Sequence, residues 1–190
     1  LGFIELVENN WTRIRDAVSN LFDLLRSFGL TDFTMTSYNA AMPILYYLYH
    51  KGIYQDFYKK IGNREDCEII KKWLFSILLR RAFGASADSV LAQSRRAYTT
   101  DITGSYIKET VTLFPATEIN SEIRKLSDVG DDFIEDLLYS QKDSRYSFPI
   151  LAMLYPDLDY RNNNFHQDHL HPASAYNDLE EKDKEKYGWQ

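Results

Sequence analysis

Three of the four histidines in this 190-residue chain, His166, His169 and His171, fall in the run Asn162-Asn-Asn-Phe-His-Gln-Asp-His-Leu-His-Pro172, where Asp168 adjoins His169. Imidazole nitrogens and a carboxylate oxygen are donors that hold a divalent metal, and a neutral imidazole also takes a proton from water. If residues 165–170 are extended, successive side chains alternate. Gln167, His169 and His171 then share one face, and His166, Asp168 and Leu170 the other. One face would present a base while the other holds a ligand. Spacing alone does not choose between that arrangement and a solvated, histidine-rich surface loop. A zinc site built from His166, His169 and His171 is a third reading. Alternate directions along a strand and the lack of a nearby cysteine work against it.

Apolar spacing predicts the elements that position this run. Trp11, Ile14, Val18, Leu21, Phe22, Leu25 and Phe28 recur at steps of three and four, as on one face of a helix. Asn9 or Asn10 is its expected cap, and Gly29 follows its last apolar residue. A second helix is expected over 39–50, with Thr36 or Ser37 as cap candidates, Pro43 in its first turn or at a kink, and Gly52 at its end. His50 is expected at its C-terminus, where the helix dipole favours a charged imidazole. Asn63 opens a third helix, with Asp66 three residues on in a capping arrangement. Ile69, Ile70, Trp73, Leu74, Ile77, Leu78 and Phe83 make it apolar on more than one side, so it is the expected central helix, closed by Gly84. Ser86 caps the next helix, which carries Val90, Leu91 and Tyr98.

Residues 106–114 suit either a strand or a helix, and helical neighbours with Pro115 as a stop favour helix. Short helices are expected over 119–126, 131–139 and 148–155, the last capped by Ser147 with Pro149 in its first turn. From Pro156 the chain turns polar: a loop over 157–164, a strand over 165–170 and a charged helix over 175–187. No repeat of fixed period emerges, and residues 84–88 carry no phosphate-loop pattern.

A chain of this length buries a real core, and 44% apolar and 26% charged residues are ordinary globular values. No apolar run approaches the roughly 20 residues that cross a bilayer. Cys67 is the lone cysteine, so no intrachain disulfide forms, consistent with a reducing cytoplasm. The net charge of −6 argues against nonspecific nucleic-acid binding over the whole surface. Basic pairs at Lys71-Lys72, Arg80-Arg81 and Arg95-Arg96 read as solvated helix faces rather than phosphate patches.

The order Asp168-His169-Leu170-His171-Pro172 resembles the first strand of the ββα-metal fold of HNH endonucleases. In that family the aspartate binds a single Mg²⁺-type ion and the adjoining histidine activates the attacking water. The resemblance therefore implies Asp168 as metal ligand and His169 as general base; His166 and His171 match no essential position and stand as auxiliary candidates. A wider pattern accompanies it. Ser37-Tyr-Asn-Ala-Ala-Met-Pro-Ile-Leu-Tyr-Tyr-Leu, then Trp73-Leu-Phe-Ser-Ile-Leu-Leu-Arg-Arg-Ala-Phe-Gly-Ala-Ser-Ala-Asp-Ser-Val-Leu, then Tyr146-Ser-Phe-Pro-Ile-Leu-Ala-Met-Leu-Tyr-Pro precede the histidine run in that order. Together they resemble the C-terminal half of DUF262-type proteins. Such proteins place a ParB-like nucleotide-binding domain before a helical region and a DUF1524-like HNH nuclease, and several act in restriction of modified or phage DNA.

The resemblance implies a mainly α chain: a multi-helix domain over 1–155, then an incomplete HNH-like segment over 156–190 with a short extended piece, a C-terminal helix and a partial ββα-metal motif. It implies DNA as the partner, Mg²⁺ or Mn²⁺ as the cofactor of the complete site, and a cytoplasmic setting. Nothing matches the ParB-like domain, and the later Asn and His or Asn of the HNH site have no counterpart beyond Asn177. The chain is thus expected to be a fragment, nearly inactive alone as a nuclease. A rival reading is a helical interaction module without catalysis. It would hold neighbouring domains or a second copy through exposed Tyr46, Tyr47, Tyr54 and Tyr58.

Overall fold

The computed structural model describes residues 2–84, 86–99, 106–126, 131–142, 144–163, 165–167 and 180–186, and among these the chain is mainly α with no strand. In order come α1 (Phe3–Asn9), α2 (Trp11–Ser27), α3 (Met42–Lys51), α4 (Arg64–Leu79), α5 (Ala87–Arg95), α6 (Ala116–Glu122), α7 (Asp131–Leu138), α8 (Ser147–Leu154) and α9 (Glu181–Lys186). Single 3-10 turns at Tyr38–Ala41, Phe57–Lys59, Ile61–Asn63 and Arg124–Leu126 link or extend them.

α4 is the central helix, as its two-sided apolar pattern predicts. Ile70, Trp73, Leu74, Phe75, Ile77 and Leu78 are all buried, and each such side chain contributes about 1.5–3 kcal/mol by leaving water. α8 and α6 pack on it, and in the same core α3, which buries Ile44, Tyr47 and Leu48, packs on α2, which buries Ala17, Leu21, Leu24 and Leu25. The buried stripe of α2 is narrower than the sequence pattern. Trp11 at its first turn and Phe22 at the stripe's edge stay exposed. Of the four tyrosines offered as a docking surface, Tyr47 is fully buried, and Tyr46, Tyr54 and Tyr58 are half-buried against the core. The outward apolar groups lie elsewhere: on α1, Phe3 and Ile4 are exposed.

Helix ends follow backbone geometry more than side-chain caps. After α2, Gly29 takes φ +81°. Its N–H bonds the Arg26 carbonyl at 2.9 Å, and the Leu30 N–H bonds the Leu25 carbonyl at 3.1 Å, a pair of bonds that a left-handed residue makes possible. A Cβ at Gly29 would lie 2.7 Å from Phe148 and from Tyr160, so this turn also leaves room for later parts of the chain. Gly52 ends α3 in the same way, at φ +69°. α4 does not run on to Gly84, as the sequence suggests. It stops at Leu79, and Arg81 takes the left-handed position at φ +50° while the Ala82 N–H bonds the Ile77 carbonyl at 3.3 Å. An arginine pays roughly 1 kcal/mol there that a glycine would not. Burial of Ala82 and Phe83 and the Arg81 guanidinium over the Tyr146 ring, 4.5 Å from its centroid, offset that cost.

The expected caps mostly serve other ends. Asn10, Ser37, Asn63 and Ser86 occupy N-cap positions but make no side-chain cap bond. The Asn63 amide instead donates to the Phe57 carbonyl at 3.0 Å. Ser147 is the first residue of α8, not its cap, and Pro149 falls in the first turn as expected. Asp66 is 4% exposed and reaches across the core rather than back to its own helix end. It accepts the Tyr47 hydroxyl at 2.6 Å and the Phe114 N–H at 2.8 Å.

That contact overturns the helix expected over 106–114, which is irregular. Its backbone groups are paired by distant partners. Besides Phe114 with Asp66, the Val111 carbonyl takes the Lys51 ammonium at 2.7 Å, and the Lys108 N–H reaches the Tyr98 carbonyl at 2.8 Å. With its polar groups so satisfied the segment needs no helix, and it drops Ile107, Val111 and Phe114 into the core. Trp73 packs edge-on to Phe114 at 5.0 Å and donates to Asn120 at 3.0 Å. On the same helix as Asp66, Cys67 is half-buried, and burial, with Asp66 and Glu68 beside it, pushes its thiol up to about 12.

Candidate functional site

The chain leading to the histidine run is fastened to the helical body at several points. The Pro156 carbonyl accepts the Lys71 ammonium at 3.0 Å. The Asp159 carboxylate accepts the Arg161 and Asn162 N–H groups at 3.2 and 3.1 Å and the Asn162 amide at 2.7 Å, which folds 159–162 into a turn. Those bonds hold the carboxyl below its ordinary range, the Asn162 amide contributing most. Tyr160 lies edge-on to Phe148 at 5.5 Å, the Lys71 ammonium sits over its ring at 5.1 Å, and the Arg161 guanidinium stacks over Tyr58 at 4.5 Å.

Residues 165–167 follow without helix or strand pairing. The Phe165 ring meets Tyr160 at 5.1 Å, and His166 is exposed. The Ser147 hydroxyl is 2.8 Å from Gln167 Oε1 and 2.7 Å from the Ser144 carbonyl, so its single proton serves one acceptor at a time. Gln167 thus touches the helical body directly, and Phe165 packs on Tyr160, which itself contacts Phe148. Asp168, His169 and His171 lie outside the described residues, as do 168–170 of the expected strand and 175–179 and 187 of the expected last helix; α9 falls within that helix. Among the described residues no three His, Cys, Asp or Glu side chains gather as a metal site. The carboxylate and imidazole donors of Asp168 and His169 suit Mg²⁺ or Mn²⁺ in kind.

A second assembly, absent from the sequence reading, surrounds His50. It stands in the last turn of α3, where the dipole favours its charged form, yet its pKa falls to about 4. Burial is the main cause, with the Arg13 and Arg95 cations adding to it. The imidazole stacks on Tyr106 with centroids 4.4 Å apart and planes within 17°, and Tyr46 and Tyr49 close two further sides at 4.4 and 5.0 Å. Tyr46 donates to the Tyr106 carbonyl at 2.7 Å, fixing the stack across sixty residues of sequence. Arg13 holds the other side: it donates to the Tyr49 carbonyl at 2.8 Å, and its guanidinium lies 4.3 Å from the Tyr49 ring centroid.

Beside this stack, α2, α3 and α5 leave a cleft of about 510 Å³. Ile14, Leu45 and Leu91 give it apolar walls, and Tyr46, His50 and Arg95 bring polar atoms to it. The volume lies within the range of small-molecule sites, as does the pattern of a few polar groups on an apolar lining. The sequence signal was faint: His50, Arg13 and Tyr106 belong to three distant segments, and none forms a motif. No protein-family model matches the chain, and no curated protein does either.

Proposed function

We propose that the chain belongs to a DNA endonuclease of the DUF262/HNH type, in restriction or phage defence, and supplies its helical body and the opening of its hydrolytic centre. Asp168 is the metal ligand and His169 the general base. The bound divalent ion would neutralise charge developing on the phosphate and the leaving oxygen. His169 takes the proton of the attacking water as general base. His166 and His171 are auxiliary.

The observation that carries this reading is the anchoring of residues 156–167. A hydrolytic pair must be held to within a fraction of an ångström by the elements beside it. The Lys71–Pro156 bond, the Tyr160–Phe148 contact and the Gln167–Ser147 pair fasten the chain at points up to the residue before Asp168. A free histidine-rich tail would need none of these contacts. The exposed Phe3, Ile4 and Trp11 favour a second reading, a helical interaction module without catalysis of its own.

A Mn²⁺ titration followed by NMR at the histidine rings separates the two. Paramagnetic broadening is expected first at His169, later at His166 and His171, and last at His50, and Asp168→Asn should abolish the early phase. Broadening that is equal at all four rings, or unchanged by Asp168→Asn, overturns the nuclease reading and leaves the interaction module.

A further inference from the structure

We propose that the cleft between α2, α3 and α5 binds an amphipathic carboxylate, with its alkyl or aryl body against Leu45 and Leu91 and its anionic head on Arg95. This site is independent of the histidine run and goes beyond the nuclease reading.

Three observations lead to that ligand class. The first is the lining. Ile14, Met42, Leu45 and Leu91 offer no hydrogen-bonding group, so the body of a ligand there is apolar. A nucleobase would lose the partners of its polar edge against these side chains, at a cost that its ring stacking would not offset.

The second observation is the charge at the cleft. Arg95 lines it and Arg13 stands beside it on the Tyr49 ring. Among the described residues neither has a carboxylate within ion-pair distance, whereas the neighbouring Arg96 lies 3.9 Å from Glu122. Arg13 is committed to the Tyr49 carbonyl, and among the described residues Arg95 has the Tyr46 hydroxyl and the His50 ring near it. An anion at the Arg95 end therefore meets two cations with no competing acid among the described lining residues. Next to apolar walls such a pair is screened less than at an open surface.

The third is His50. Neither ring nitrogen has a hydrogen-bond partner among the described residues, although the ring is gripped by Tyr46, Tyr49 and Tyr106. A carboxylate on Arg95 places an acceptor near an imidazole N–H that otherwise goes unused. The aromatic grip fixes the ring before any ligand arrives, so little ordering is left for binding to bring about.

Isothermal titration with four probes tests this: decanoate, decanol, decyltrimethylammonium and adenosine monophosphate. Decanoate should bind about tenfold or more tightly than decanol, the margin of a charge-assisted hydrogen bond. The cation and the nucleotide should give no measurable heat. Arg95→Ala, at an exposed position, should bring decanoate down to the level of decanol and leave decanol unchanged. Met42→Glu puts a negative charge at the cleft mouth in the first turn of α3, where a helix favours one. It should weaken decanoate without harming the fold, as thermal unfolding would verify. Equal binding of decanoate and decanol, indifference to Arg95→Ala, or preference for the nucleotide would each overturn the proposal.

Discussion

α3 carries two aromatic clusters on opposite sides, and they differ in one respect. On its inner side Tyr47 meets Asp66 and Phe114, and every polar group there has a partner inside the protein. On its outer side Tyr46, His50 and Tyr106 pack as closely, yet the imidazole nitrogens have no partner among the described residues and two arginines stand by without a carboxylate. The inner cluster closes a loop onto the core. The outer one ties Tyr46 and Arg13 to backbone carbonyls but leaves the His50 nitrogens without such a partner among the described residues. Buried polar networks are stable when complete, so the unfinished one is where a ligand has something to add.

The sharpest break of this contrast is Asp66→Ala. It strands the Tyr47 hydroxyl and the Phe114 N–H in the core, and a loss of about 3 kcal/mol in urea unfolding is expected. Asp66→Asn keeps an acceptor for Phe114 and a partner for Tyr47, so it should cost under about 1 kcal/mol. If the two variants are equally damaging, the charge rather than the hydrogen bonds holds segment 106–114.

The clusters should also respond to pH with opposite signs. Burial raises the Asp66 pKa, against the lowering effect of its Tyr47 and Phe114 bonds. Its contribution is then full below the ordinary carboxylate range and fades as pH rises through the folded-state value. His50 is lowered to about 4. Its contribution is full above about 6.5, the ordinary imidazole value, and fades as pH falls towards 4. Unfolding midpoints measured between pH 7 and 4 should fall for the native chain, and less so for His50→Phe. A His50 ring that titrates near 6.5 by NMR would mean that the stack with Tyr106 does not form. A modest effect is expected from Tyr46→Phe, which removes the bond to the Tyr106 carbonyl. It should cost about 1 kcal/mol, and the His50 midpoint should move back towards its ordinary value.

Helices whose apolar residues face a single core were legible in the sequence, because that information is local. α4 stands where its two-sided pattern puts it, and α7 and α8 fall close to their expected bounds. What went unread depends on partners far along the chain. Segment 106–114 is not helical because Asp66 and Lys51, 48 and 60 residues away, and the nearer Tyr98 satisfy its backbone. Asp66 looked like a cap for the same reason: its real partners, Tyr47 and Phe114, are 19 and 48 residues distant. His50 was read from the dipole of its own helix, whereas burial and Arg13 and Arg95 set its state. Of the proposed hydrolytic pair, Asp168 and His169 were visible as neighbours, and the contacts made by the residues before them were not.

The protonated state of Cys67 has a practical consequence. With its thiol held near 12, the chain's lone cysteine forms little thiolate at neutral pH and reacts slowly with maleimides or iodoacetamide. A cysteine introduced at an exposed site would then take a label selectively without removal of the native one. The protein is in effect already prepared for spin or fluorophore attachment at a single chosen point.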